Sequence, residues 1–227
     1  EYNRFPPGWD LVLVLLAGVM ALMRPASTRA LFVLMLASTV STVVQAPIGS
    51  NHTIVRAAAL AGYWLSFGYA MARNQHVSMV FERFAPAGGG ALLVMYFFGV
   101  FHKINTDFLN PATSCAMALW HQMPRPLANL NGPIIDYGTI YGTFVVEGMI
   151  AAALLTPRFR HVGIAAGTAF HLLLSLSSYA MYLSFTTLAL SLHVLFLNEN
   201  AARSVIGSPF LHAVRTKLEE PIYRLLV

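Results

Sequence analysis

Charge is what this sequence has least of. Aspartate, glutamate, lysine and arginine make up 10% of its 227 residues, against about 25% in soluble domains, so a water-soluble globule is a poor fit. With a single cysteine, Cys115, an internal disulfide is excluded and thiolates are too few for a cysteine-based metal centre. The sequence has no glycine-rich phosphate loop, no His-Glu-x-x-His pair and no Gly-x-Ser-x-Gly nucleophile elbow. No two histidines stand four apart on one apolar helix, so a haem or copper site would have to draw its ligands from different helices. The formal charge of +5 does not point to nucleic acid, because the 14 basic residues lie scattered between apolar runs, where they set membrane topology.

What is present is hydrocarbon. Hydrophobic residues make up 57% of the chain and the mean hydropathy is +0.63. Apolar stretches recur near the ~20 residues that a helix needs to cross ~30 Å of bilayer, without the period-two alternation of an outer-membrane barrel. The expected fold class is all-α, a polytopic transmembrane helical bundle of about seven spans, with the lipid bilayer as its principal partner. The segments are 9–23, 30–48, 54–72, 91–104, 138–156, 162–177 and 180–197. The last two come from dividing one apolar stretch of double length at Ser177, Ser178 and Tyr179. "PAGGG" at 86–90 and "PRPLANLNGP" at 124–133 read as loops. Residues 1–197 form one transmembrane domain, and 198–227 a cytoplasmic tail ending in an amphipathic stretch. The chain opens on Glu1 and not Met, as a processed or partial chain does.

Orientation follows from the basic residues. With seven spans, Arg24, Arg29, Arg73, Arg83, Arg158, Arg160, Arg203, Arg215, Lys217 and Arg224 fall on one side, and Arg4, Arg56, Lys103 and Arg125 on the other. The richer side is expected to be cytoplasmic, with the final hairpin placing the last four of its charges. His52 and Lys103 then share the opposite, periplasmic or lumenal, face.

The stretch "FHKINTDFLNP" at 101–111 follows the apolar run "ALLVMYFFGV" and sets His102, Lys103, Asn105 and Asp107 at its end. A terminal lysine ordinarily extends its ammonium to the headgroups. Here, however, Asn110 and Pro111 read as the N-cap and first residue of a further helix, "PATSCAMALWHQM", too short to span and lying at the interface. Partial desolvation under such a lid disfavours an ammonium, which is how a lysine becomes a general base.

His52, in "PIGSNHTIVR", opens the third span beside the ordinary capping residues Ser50 and Asn51. Glu147 lies mid-span in "YGTFVVEGMIAAALL", where a carboxyl must be paired or protonated. His171 and His193 are its expected partners, although each taken singly reads more simply as a packed histidine. Tyr137 and Tyr141 fall on one helix face, as interfacial tyrosines do.

The segment "YFFGVFHKINTDFL", the later "CAMALW", the "NH" pair Asn51-His52 and "FHLLLSLSSYAMYLSFTTLALSLHVLFLN" resemble the horizontally transferred transmembrane (HTTM) domain. Vitamin K-dependent gamma-glutamyl carboxylase and many bacterial membrane proteins share that domain. The resemblance covers residues 30–197, and its most specific parts are Lys103 to Phe108 and Asn51-His52. It implies that Lys103 deprotonates a quinone-like hydroquinone, that His52 assists as stabiliser or proton carrier, and that Asp107 orients the segment. Asn51, His102, Glu147 and His171 would be supporting residues, in a bacterial inner membrane. The chain departs from the carboxylase where that enzyme has Lys-Lys before Leu-Asp: here His102-Lys103 precede Ile104-Asn105, an amide in place of the first acid. The carboxylase's large lumenal substrate-binding region has no counterpart in the segment 198–227. Three functions therefore stand open: a lipid- or quinone-dependent enzyme, an accessory subunit of a respiratory or photosynthetic membrane complex, and a small-molecule carrier using Glu147 and the histidines as a proton path.

Overall fold

The computed structural model describes residues 9–24, 27–45, 51–178 and 180–197, without the side chains of Leu22, residues 51–52 and residues 180–184. The tail from 198 onward lies outside the described residues. Ten α-helices are described: α1 (Trp9–Met23), α2 (Thr28–Gln45), α3 (Asn51–Ala72), α4 (Ser78–Phe101), α5 (Thr106–Leu109), α6 (Cys115–Trp120), α7 (Arg125–Ala128), α8 (Pro133–Leu155), α9 (Arg160–Ser175) and α10 (Ala180–His193). No strand occurs among the described residues, so the all-helical expectation holds.

Three helices, α2, α4 and α8, are both long and apolar enough to cross a membrane. At 18, 24 and 23 residues they extend roughly 27 to 36 Å at about 1.5 Å per residue. α3 has the length but a less apolar composition, while α1 and α10 are apolar but shorter.

The chain divides into two compact units, with the boundary inside α4 between Ala87 and Gly88. The first unit contains α1, α2, α3 and the start of α4. Two hydroxyls of its helix α2 are satisfied locally: Thr39 Oγ1 donates to Met35 O at 2.8 Å and Thr42 Oγ1 to Ser38 O at 2.7 Å. Such i−4 bonds let hydroxyls sit in apolar surroundings without water. Trp64 Nε1 donates to Thr39 Oγ1 at 3.0 Å, and its ring meets Phe32 edge-on at 5.6 Å, which ties α3 to α2. α3 ends because Asn74 takes a left-handed conformation, φ 50°, while Gln75 N–H returns to Ala70 O at 2.9 Å; asparagine is one of the few residues that adopts this helix stop readily.

The second unit contains the rest of α4 and α5 to α10. α9 packs on both α8 and α10. Phe108, Ala116, Met117 and Ile140 form a buried cluster, flanked by Leu109 and Trp120, which seats α5 and α6 on α8. The chain does break at 176–178, between α9 and α10, where Ser178 N–H donates to Gln122 O at 3.0 Å.

Three local expectations need correction. "PAGGG" is not a loop: α4 runs through Pro86 and the glycines after it. Gly89 is a packing position, since a Cβ there would lie 3.3 Å from the Phe196 ring, and a helix in apolar surroundings keeps its internal bonds because no water replaces them. "PRPLANLNGP" contains the single turn α7, and Pro133 is the first residue of α8. Asn110 does not cap the helix that follows: it is the C-cap of α5, and Ser114 caps α6, accepting from Ala116 N–H. The Asn110 side chain is instead used in a tight turn, accepting from Ala112 N–H at 3.1 Å.

The tightest helix contact in the second unit that involves backbone is at Gly163 of α9, where a Cβ would stand 2.9 Å from Leu154 N and 3.0 Å from Leu154 Cγ. Gly163→Ala is expected to push α9 off α8 and to destabilise the protein by about 1–3 kcal/mol, as overpacking does. A melting temperature in detergent equal to that of the wild type would show that this contact yields without cost.

Candidate functional site

The polar segment after α4 is shaped by its helix end. His102 N–H donates to Phe98 O at 2.9 Å, and Lys103 and Ile104 N–H donate to Val100 O and Phe101 O, each at 3.1 Å. This tightening keeps Lys103 over the α4 face that carries Gly99 and Tyr96, four and seven residues back. Asn105 then starts α5: its Oδ1 accepts from Phe108 N–H at 2.8 Å and its Nδ2 donates to His102 O. The Asn105 amide thus clamps the loop from both sides, which a carboxylate, having no donor, would not do.

Lys103 Nζ pairs with Glu147 Oε2 of α8. The two side chains are 15% and 11% exposed, so the pair is held in a largely dry environment in which each charge requires the other. The carboxylate fits because residue 99 is glycine; a Cβ there would come within 3.1 Å of Oε2. The Lys103 ammonium also lies 5.7 Å from the centre of the Phe108 ring, within cation–π range. Glu147 therefore has Lys103 as its partner, and not His171 or His193 as the sequence led one to expect.

The two histidines form a separate site around Tyr96. The Tyr96 hydroxyl lies 2.8 Å from His171 Nε2 and 3.1 Å from His193 Nε2, and His193 Nδ1 is 2.6 Å from Ala189 O. All three side chains are buried. α9 turns Gly163, Gly167, His171 and Leu174 inward on one face, and Gly167 is required there because a Cβ at that position would overlap the His193 ring.

The remaining expected residues are placed differently. His102 and Asp107 sit in the polar segment itself, where His102 is exposed. Asp107 contributes through its carbonyl, which accepts from Thr113 Oγ1 at 2.7 Å. Tyr137 and Tyr141 stack at 6.2 Å on an exposed face of α8. Asn51 and His52 are the first two residues of α3, in the first unit, and their side chains lie outside the described residues. Among the described residues, no group of three or more histidine, cysteine, aspartate and glutamate side chains is arranged to hold a metal ion.

Two features escaped the sequence reading. Asp10 Oδ2 accepts from Ser41 Oγ and Gln45 Nε2, both at 2.7 Å, and Arg56 Nη2 donates to Gln45 Oε1 at 3.1 Å, so a polar network joins α1, α2 and α3. Its signal was present: an acid at the start of an apolar run, and Ser41 and Gln45 spaced four apart on α2. Tyr96 was hidden inside an aromatic run, and only its spacing of seven from Lys103 marked it.

Removal of one member of the ion pair leaves a desolvated charge behind. Lys103→Met and Glu147→Leu are each expected to destabilise the protein by roughly 3 kcal/mol, and the double variant by less than either. A thermal-denaturation cycle in which the two losses simply add would show that the charges do not depend on each other.

No protein-family model, curated protein or solved structure matches this chain.

Proposed function

We propose that the chain is a seven-span membrane protein of the HTTM type, set in a bacterial inner membrane, that removes a proton from a lipid-soluble hydroquinone at the Lys103–Glu147 pair. The observation that carries this reading is the pair itself: a lysine and a carboxylate joined in a largely dry site at the end of α4, immediately before an exposed polar segment. Three membrane-length apolar helices and the break between α9 and α10 support the span count. The basic-residue asymmetry supports a periplasmic position for the site. α5 and α6, seated on α8 beside Lys103, serve as the interfacial lid.

The chemistry follows from the pair's shared proton. With the shared proton resting on Glu147, the Lys103 amine takes the proton of a hydroxyl reaching the site, and the ammonium so formed stabilises the new oxyanion. Asn105 holds the loop in place. The assisting role that the resemblance implies for His52 concerns a side chain outside the described residues. In this reading Lys103→Ala, reconstituted in nanodiscs with a reduced short-chain naphthoquinone, lowers hydroquinone-dependent oxygen uptake by about 10²–10⁴-fold, the usual value of a general base, while remaining monodisperse. Uptake absent from the wild type, or unchanged in the variant, would overturn the reading.

A second reading has one observation in its favour. Phe97, Phe98 and Phe101 form an exposed aromatic strip on α4, with Phe97 and Phe101 stacked at 6.0 Å, a surface suited to packing against a partner subunit of a respiratory or photosynthetic complex. That role predicts stable co-purification with a multi-subunit assembly from native membranes; a lone monodisperse protein argues against it.

A further inference from the structure

The cluster of Tyr96, His171 and His193 has only one consistent set of proton positions for neutral rings. Ala189 O can only accept, so His193 Nδ1, 2.6 Å away, carries a proton, and His193 Nε2 is left as an acceptor. The single Tyr96 proton must then go to His193 Nε2, at 3.1 Å. Toward His171 Nε2, at 2.8 Å, the phenol oxygen accepts, so His171 carries its proton on Nε2. This leaves His171 Nδ1 as a bare lone pair, fully buried and without a hydrogen-bond partner.

A fully buried polar atom with no partner calls for an explanation. Among the described residues no third histidine, cysteine, aspartate or glutamate joins the two rings to complete a metal site. The opposite end of the cluster is prepared for positive charge: His193 is the last residue of α10, where the helix dipole favours a cation, and its Nδ1–H already rests on a carbonyl. The other buried ionisable side chain among the described residues of this unit is Glu147 of α8, whose charge is already met by Lys103.

We propose that Tyr96, His171 and His193 form a proton relay within the helices, with His171 Nδ1 as its intake and His193 as its sink. A proton delivered by a water or a hydroxyl-bearing molecule forms an N–H bond at His171 Nδ1. The Nε2–H of His171 passes to the Tyr96 oxygen, and the Tyr96 proton passes to His193 Nε2. One proton is gained, no electron moves, and His193 ends as the imidazolium while His171 and Tyr96 are neutral. Gly167 is a positioning residue, because only a glycine there admits the His193 ring. The relay stands on this geometry alone and is independent of the Lys103–Glu147 reading.

The test is nitrogen-15 NMR of the histidine-labelled full chain in detergent, with the His171 and His193 signals assigned from His171→Gln and His193→Gln. At neutral pH the wild type is expected to show His193 protonated on Nδ1 and His171 on Nε2. On acidification, the imidazolium signal belongs to His193. In Tyr96→Phe, which keeps the ring and removes the hydroxyl, the added proton stays on His171. Should that variant fail to stay monodisperse, His193→Gln provides the same arm, with the charge again confined to His171. A His171 protonated on Nδ1 at neutral pH overturns the proposal. So does an imidazolium at His171 in the wild type, or unfolding before either ring is charged.

Discussion

A carboxylate placed among apolar helices must be neutralised or paired, and Glu147 is paired with Lys103. This requirement organises the second unit. It draws the end of α4 onto α8, calls for a glycine at position 99 so that the carboxylate can lie against the α4 backbone, and holds the chain where Asn105 can start α5. The cluster of Phe108, Met117 and Ile140 then forms beside the pair, with Lys103 close to the Phe108 ring. A dry wall around an ion pair strengthens the attraction between its members and raises the cost of losing either one.

The same constraint recurs at lower charge. Hydroxyls on α2 bond to carbonyls one turn back, Asp10 is met by Ser41 and Gln45, and Tyr96 joins two histidines from different helices. Each of these polar groups is matched within the protein, which is the expected economy where no water is at hand. Among the described residues, Arg56 Nε, His171 Nδ1 and Ser177 Oγ stand outside this pattern as buried atoms without a hydrogen-bond partner. His171 Nδ1 belongs to a chain whose other proton positions are all determined.

Much of the helical layout was legible because hydrophobic run length reports helix length directly. α1 runs from Trp9 to Met23 as read, and the break between α9 and α10 falls at Ser177 and Ser178. α4 was misjudged because proline and three glycines near residue 88 are loop signals in water, whereas here they lie within a continuous helix that packs through Gly89. The α6 cap was misjudged by four residues, Asn110 for Ser114, because both are good capping residues and the choice is made by the turn between them. Lys103 and Glu147 were each marked individually by being charged at an apolar position, yet their pairing was not.

The sequence by itself determined that the chain is helical and apolar, and that Lys103, Glu147 and His171 are chemically out of place in it; composition and run length carry that information locally. Only the tertiary structure decided which of these groups meet. Lys103 and Glu147 are separated by 44 residues, Tyr96 and His193 by 97, and their contacts depend on glycines at 99 and 167 that let one helix approach another. A pairing set by the packing of distant helices leaves no periodic trace along the chain.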